Sequence, residues 1–194
     1  MTLPERKMVF LERIKKRLTM AVLPKDVLTP DNRVVGSVFV KAQEVKRPII
    51  EHSTGYFLFI DFPEGKYNLI AGGEYYQQKS FEVDTSTIQP ALPFVDVLLE
   101  PKANYPFPEG MTVLKGKVID IDDRPLFEAL ITIEDMNEST ISEDMGDFFI
   151  QFNAIDDKNI ILNINKEGYQ FKQVPVLLRK EITNRIETIK LDQI

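Results

Sequence analysis

Residues 114–120, Leu114-Lys115-Gly116-Lys117-Val118-Ile119-Asp120, decide how this chain reads. Leu114, Gly116 and Val118 fall on one side of an extended backbone, and Lys115 and Lys117 on the other. That period of two marks a half-buried antiparallel strand. The run continues into Asp120-Ile121-Asp122-Asp123-Arg124-Pro125, a polar turn closed by a proline that cannot extend a ladder. Working outward from Val113–Ile119, strands are predicted downstream at Leu130–Glu134, Phe148–Phe152, Ile160–Asn165, Phe171–Leu178 and Ile186–Leu191. Upstream they are predicted at Arg33–Lys41, Tyr56–Asp61, Tyr67–Ala71, Ser80–Asp84 and Phe94–Glu100. Pro48, Gly55, Pro63-Glu64-Gly65, Gly72-Gly73 and Pro90 separate the upstream set. Short strands at such spacing predict a sandwich or barrel.

Residues 101–110 hold three prolines and a glycine, the composition of a linker. The sequences either side of it look alike. Gly55-Tyr56-Phe57-Leu58-Phe59 matches Gly146-Asp147-Phe148-Phe149-Ile150, 91 residues later. The expected organisation is an N-terminal helix over 1–18, a β-sandwich domain over 19–100, the linker, and a second β-sandwich domain over 111–194. The helix rests on Thr2 and Glu5 as a capping box, Pro4 in the first turn, and a stripe of Phe10, Leu11, Ile14 and Leu18. Pro24 predicts its limit.

Leu114 to Asp120, Arg124-Pro125-Leu126 with Ala129 and Ile131, Thr140, Asp144, Gly146 to Ile150, and Lys166-Glu167-Gly168-Tyr169 together resemble a carboxypeptidase regulatory-like domain. This is one branch of the transthyretin-like (prealbumin-like) β-sandwiches. Gly36, Gly55-Tyr56-Phe57 and Pro63-Glu64-Gly65-Lys66-Tyr67 resemble a more divergent copy. The resemblance implies two tandem antiparallel sandwiches. It also implies a non-enzymatic accessory role, since such domains stand beside peptidases and within larger assemblies.

Composition narrows the chemistry. The chain has 194 residues, a formal charge of −6 and no cysteine, so disulfides and thiolate sites are excluded. Its acidity argues against a nucleic-acid partner, which would demand a basic face. The charge is uneven: Arg6, Lys7, Arg13, Lys15, Lys16 and Arg17 against Glu5 and Glu12 give the first 18 residues +4, leaving −10 for the remainder. No apolar run is long enough for a membrane span, and no secretory signal is visible, so a cytoplasmic location is expected.

His52 is the single histidine. A zinc peptidase centre needs two, and Ser53 or Ser37 make poor nucleophilic partners for it. Asp84-Thr85-Ser86 reads as a strand-end turn, and Gly72-Gly73 lacks the lysine of a phosphate loop. Asp120, Asp122 and Asp123, with Glu143, Asp144 and Asp147 on a second turn, are calcium candidates without the EF-hand spacing. Tyr75, Tyr76, Tyr105 and Phe107 are the residues from which a sugar platform could be built. Phe57 and Phe59 predict a core face, yet Leu58 and Ile60 opposite them are apolar too. That face needs a cover, either the stripe Phe10, Leu11, Ile14 and Leu18 or a partner protein. The expected function is a structural or protein-interaction module without catalytic residues or cofactor. The alternative is a ligand-binding module for carbohydrate or calcium.

Overall fold

The computed structural model describes residues 15–43 and 45–194. It is mainly β, with no helix among the described residues. The first half contains β1 (Leu18–Asp26), β2 (Val38–Ala42), β3 (Ile50–Glu51), β4 (Phe57–Ile60), β5 (Lys66–Gly73), β6 (Lys79–Asp84) and β7 (Phe94–Leu99). One sheet has the order β3-β4-β1-β7 and the other β2-β5-β6. Their inner faces meet around a single cluster that includes Met20, Val22, Phe57, Phe59, Leu69, Tyr76 and Leu99. The second half contains β8 (Thr112–Asp120), β9 (Leu130–Ile133), β10 (Ser139–Ile141), β11 (Asp147–Phe152), β12 (Lys158–Asn165), β13 (Lys172–Leu178), β14 (Thr183–Arg185) and β15 (Ile189–Leu191). Here β11-β8-β14, with β15 also on β8, faces β10-β9-β12-β13. A second cluster lies between them, built on Leu114, Phe148, Ile150, Ile131, Leu162 and Ile164.

The pairing scheme of the first half recurs in the second. A nine-residue opening strand, β1 or β8, pairs antiparallel with the strand that follows Gly55 or Gly146, and parallel with the closing strand. A central strand, β5 or β12, is flanked by β2 and β6 or by β9 and β13. The expected purely antiparallel sandwiches are corrected here: the sheets built on β1 and β8 are mixed, while β2-β5-β6 and β10-β9-β12-β13 are antiparallel throughout. A closing strand that lies beside an opening strand of the same direction must pair parallel with it.

The expected helix over 1–18 is corrected at its end. Lys15 to Arg17 are non-helical and Leu18 opens β1, while Phe10, Leu11 and Ile14 lie outside the described residues. Thr19, Met20, Ala21 and Val22 are all buried, so their apolar run shows neither period of two nor a polar side. Pro24, expected to stop an element, sits inside β1. Ala21 donates its N–H to Pro93 on the β7 side, so alternation points the Pro24 nitrogen to the other edge. There β4 pairing has already ended at Val22, and no donor is lost. Residues 101–110 form no strand, yet Ala103 and Tyr105 are buried in the structure. The predicted Arg33–Lys41 strand begins only at Val38.

Candidate functional site

Asp26 ends β1 with its side chain wholly buried. Its Oδ2 accepts the hydroxyl protons of Tyr76 (2.7 Å) and Tyr105, and its Oδ1 accepts the Leu28 N–H at 2.7 Å. Val35 donates its N–H to the Tyr76 oxygen at 2.8 Å. Burial, reinforced by the adjacent carboxylate, pushes the Tyr76 phenol up to about 12 and raises Tyr105 as well. This network fastens residues 101–110 to the first half. The same segment touches the second: Phe107 lies 5.0 Å from the Phe149 ring, and Lys115 Nζ donates to the Tyr105 carbonyl at 2.8 Å while standing over the Phe107 ring. Burial lowers the Lys115 ammonium, with Arg185 adding to the effect.

Glu143 closes the seam. Its Oε1 accepts the Ala103 N–H at 2.7 Å and the Gln77 amide at 2.9 Å. Above these contacts opens a cleft of about 790 Å³. Val27, Phe127, Ile141, Met145 and Phe149 line it with apolar surface, and five carboxylates, Glu74, Glu100, Glu143, Asp144 and Asp147, stand against one ammonium, Lys102. Strand β10 on its wall is an edge strand, paired only with β9. An acidic groove with exposed aliphatic and aromatic side chains can hold a basic segment that also carries apolar residues.

Burial raises the Glu143 carboxyl above its ordinary 4.5, against the opposing pull of the Ala103 N–H and Lys102. The folded chain thus binds this proton more tightly than the unfolded one. The ionised group weakens folding at neutral pH, and the penalty lifts as pH falls through the raised value toward 4.5. Glu143→Gln is expected to melt higher than the parent at neutral pH, with the gap closing on acidification. A gap independent of pH in a thermal-melt series would contradict this assignment.

The acidic turn of the second half is built differently from a cation site. Asp120 is buried, and its Oδ1 accepts the N–H groups of Asp122 and Arg124. Its Oδ2 accepts from the Arg124 guanidinium at 2.7 Å, which also reaches Asp122 at 2.8 Å, and Asp123 pairs with Lys190 at 2.6 Å. Burial alone would raise the Asp120 carboxyl, but the Arg124 N–H, its guanidinium and the Asp122 N–H hold it below its usual range. These three carboxylates face the protein's own cations. Of the second turn, Glu143, Asp144 and Asp147 belong to the cleft. His52 is exposed, its Nδ1 2.7 Å from Thr54 Oγ1. Asp84 accepts the N–H and hydroxyl of Ser86 as a closed turn. Tyr76 and Tyr105 are buried and hydrogen-bonded, so the four rings form no exposed platform.

Leu58 and Ile60 lie on the outer face of β3-β4-β1-β7, both half-buried. The register places Ile50 and Ala21 on either side of Leu58, Phe94 beyond Ala21, and Leu18 across from Ile60. Leu23 and Leu98 extend the same face, and Tyr56 packs on Phe94 at 5.5 Å between ring centres. Phe94 is 54% exposed, Leu98 50% and Ile50 46%. Its charged members within the strands, Lys25 and Asp96, neutralise each other at 2.5 Å. The outer face of β2-β5-β6 differs, carrying Lys41, Lys66, Glu82 and Asp84. Sequence reading found Leu58 and Ile60 from broken alternation. Asp26 left no such trace, because a lone acid after an apolar run looks like a strand end.

No protein-family model matches the chain, and no curated protein matches it. Solved structures that are similar to it include the shaft pilin SpaA from Lactobacillus rhamnosus GG, at 7% identity over 93% of this chain and 98% of that one, with a TM-score of 0.36. GBS52, the minor pilin of Streptococcus agalactiae, is 13% identical over 90% of this chain and 95% of that one, with a TM-score of 0.35. A chain of a type II cohesin–X-dockerin complex from Acetivibrio cellulolyticus is 13% identical over 41% of this chain and 56% of that one, again at 0.35.

Proposed function

We propose that this chain is a non-enzymatic protein-interaction module, made of two copies of one carboxypeptidase regulatory-like sandwich over 19–100 and 111–194. The observation that carries this reading is the cleft at their seam. Its five carboxylates and one ammonium flank exposed Val27, Phe127, Ile141 and Met145, a surface suited to a basic polypeptide segment with apolar side chains. The recurrent strand pairing supports the two-copy organisation. Residues 101–110 then act as a fitted joint, with Tyr105 anchored on Asp26 and Phe107 on Phe149. Such a joint holds the cleft walls at a set spacing and reduces the ordering cost of binding.

The test is fluorescence anisotropy with a labelled peptide alternating lysine and leucine, beside a glutamate–leucine control. Binding of the basic probe alone is expected, weakening as salt rises. Charge reversal at Asp144→Lys with Asp147→Lys is expected to weaken it by about tenfold, ~1.4 kcal/mol. Equal affinity for both probes, or none for either, would refute the reading.

A further inference from the structure

We infer that the partner segment enters the seam cleft as an extended strand, added to the free edge of β10 and hydrogen-bonded to the main chain of Ser139 and Ile141; this rests on the cleft being the binding surface. The pairing of β10 fixes which groups are free. Ser142, one step past the strand, is buried, donates its N–H to the Ala129 carbonyl and accepts that of Glu128. Its backbone therefore faces β9. Successive residues of a strand turn their N–H and C=O groups to opposite edges, so Thr140 also faces β9 while Ser139 and Ile141 face outward. β10 has no second strand beside it, and the N–H and carbonyl groups of Ser139 and Ile141 make no other hydrogen bond among the described residues.

The edge is open where its opposite is closed. β13, at the far side of the same sheet, carries Lys172 and Pro175, residue types that block strand addition. Ser139-Thr140-Ile141 holds neither proline nor charge. Charge stands instead at its ends, with Glu138 before it and Glu143 and Asp144 after it. A second copy pairing β10 with β10 would set these acids against each other, whereas a basic segment meets them with opposite charge. Ile141 lies across from Leu130, and both are exposed. An added strand with alternate apolar residues thus finds an aliphatic row on one face. A helix lying in the same cleft would keep its main-chain bonds to itself and leave this edge unpaired. The main-chain bonds of an added strand supply affinity, and the acidic ends select a basic partner.

Amide exchange of the full chain, read by NMR with and without the lysine–leucine peptide, tests this geometry. Saturation is expected to slow the Ser139 and Ile141 amides by about tenfold or more, because each gains an acceptor. Ile141→Pro removes one outward donor and spares the β9 ladder, while Ile141→Ala removes the side chain but keeps the donor. The proline variant is expected to bind the peptide about tenfold more weakly than the alanine variant. Should the proline variant fold poorly, exchange on the unaltered chain decides alone. Saturable binding with both amides unchanged, or equal affinity of the two variants, would overturn the inference and leave the proposed function standing. Absence of saturable binding refutes both. Slow exchange without peptide, deepening with protein concentration, would give the edge to a second copy and overturn the inference too.

Discussion

Asp26→Ala is expected to lower the stability of the first half by about 3–5 kcal/mol, since it strands several donors at about 1–3 kcal/mol each. The carboxylate is fully buried and accepts two tyrosine hydroxyls and one backbone N–H. Alanine leaves the Tyr76 and Tyr105 hydroxyls without their acceptor. Tyr105→Phe removes one of the three donors and is expected to cost less, about 1.5–3 kcal/mol. Because Tyr105 belongs to residues 101–110, both variants should also expose that segment to protease. Chemical denaturation of the pair and the double variant measures the coupling, and strictly additive losses would mean the two groups do not interact.

The same network sets an alkaline limit. Tyr76 is raised to about 12, chiefly by burial, and Tyr105 is raised too. Unfolded tyrosine ionises near ~10. Above that pH the unfolded chain binds fewer protons than the folded one, so stability falls as pH climbs from 10 through the folded values. Below it the contribution is constant. Phenolate absorbance is expected to show two of the six tyrosines titrating late, together with unfolding. Asp26→Ala should shorten that delay without abolishing it, because burial is the larger cause.

Gly146→Ala is expected to cost roughly 3 kcal/mol or more, while Gly55→Ala costs about 1 kcal/mol. Both glycines hold a positive φ, +76° and +87°, and both precede the second strand of the opening pair. A Cβ on Gly55 would meet only Leu23 Cδ1 at 3.8 Å, so left-handed backbone strain is its whole penalty. On Gly146 it would stand 2.2 Å from the Val118 carbonyl oxygen, which accepts the Leu126 N–H at 3.1 Å. Val118 also donates to the Gly146 carbonyl, so the backbone cannot withdraw without breaking its own bonds. Urea midpoints for the two variants provide the comparison. Equal midpoints would show that the loop after Asp120 can yield.

These two glycines show how far the sequence carries. Each could be read as a turn before a strand, from Gly-Tyr-Phe and Gly-Asp-Phe alone. The 2.2 Å approach could not, because it depends on how Val118 and Leu126 are placed by pairing distant in sequence. The site divides in the same way. Leu58 and Ile60 were legible because a second apolar face violates alternation, a property of four consecutive residues. Ile50, Phe94 and Leu98, which complete that face, come from strands 8 to 40 residues away and join it only through register. Asp120 to Asp123 looked like metal ligands in sequence, since nothing local shows that Lys190 returns to Asp123.

By itself, the sequence determined the strand content, most strand positions after residue 37 and the turn glycines, because side-chain alternation and backbone permissiveness act within a few residues. Only the tertiary structure decided that Leu18 to Asp26 is a strand, that opening and closing strands run parallel, and that Asp26 gathers Tyr76 and Tyr105. It alone brought Gln77, Ala103 and Glu143 to one seam. A strand buried on both faces loses its alternating signature, and a hydrogen bond between residues 79 positions apart leaves no pattern along the chain.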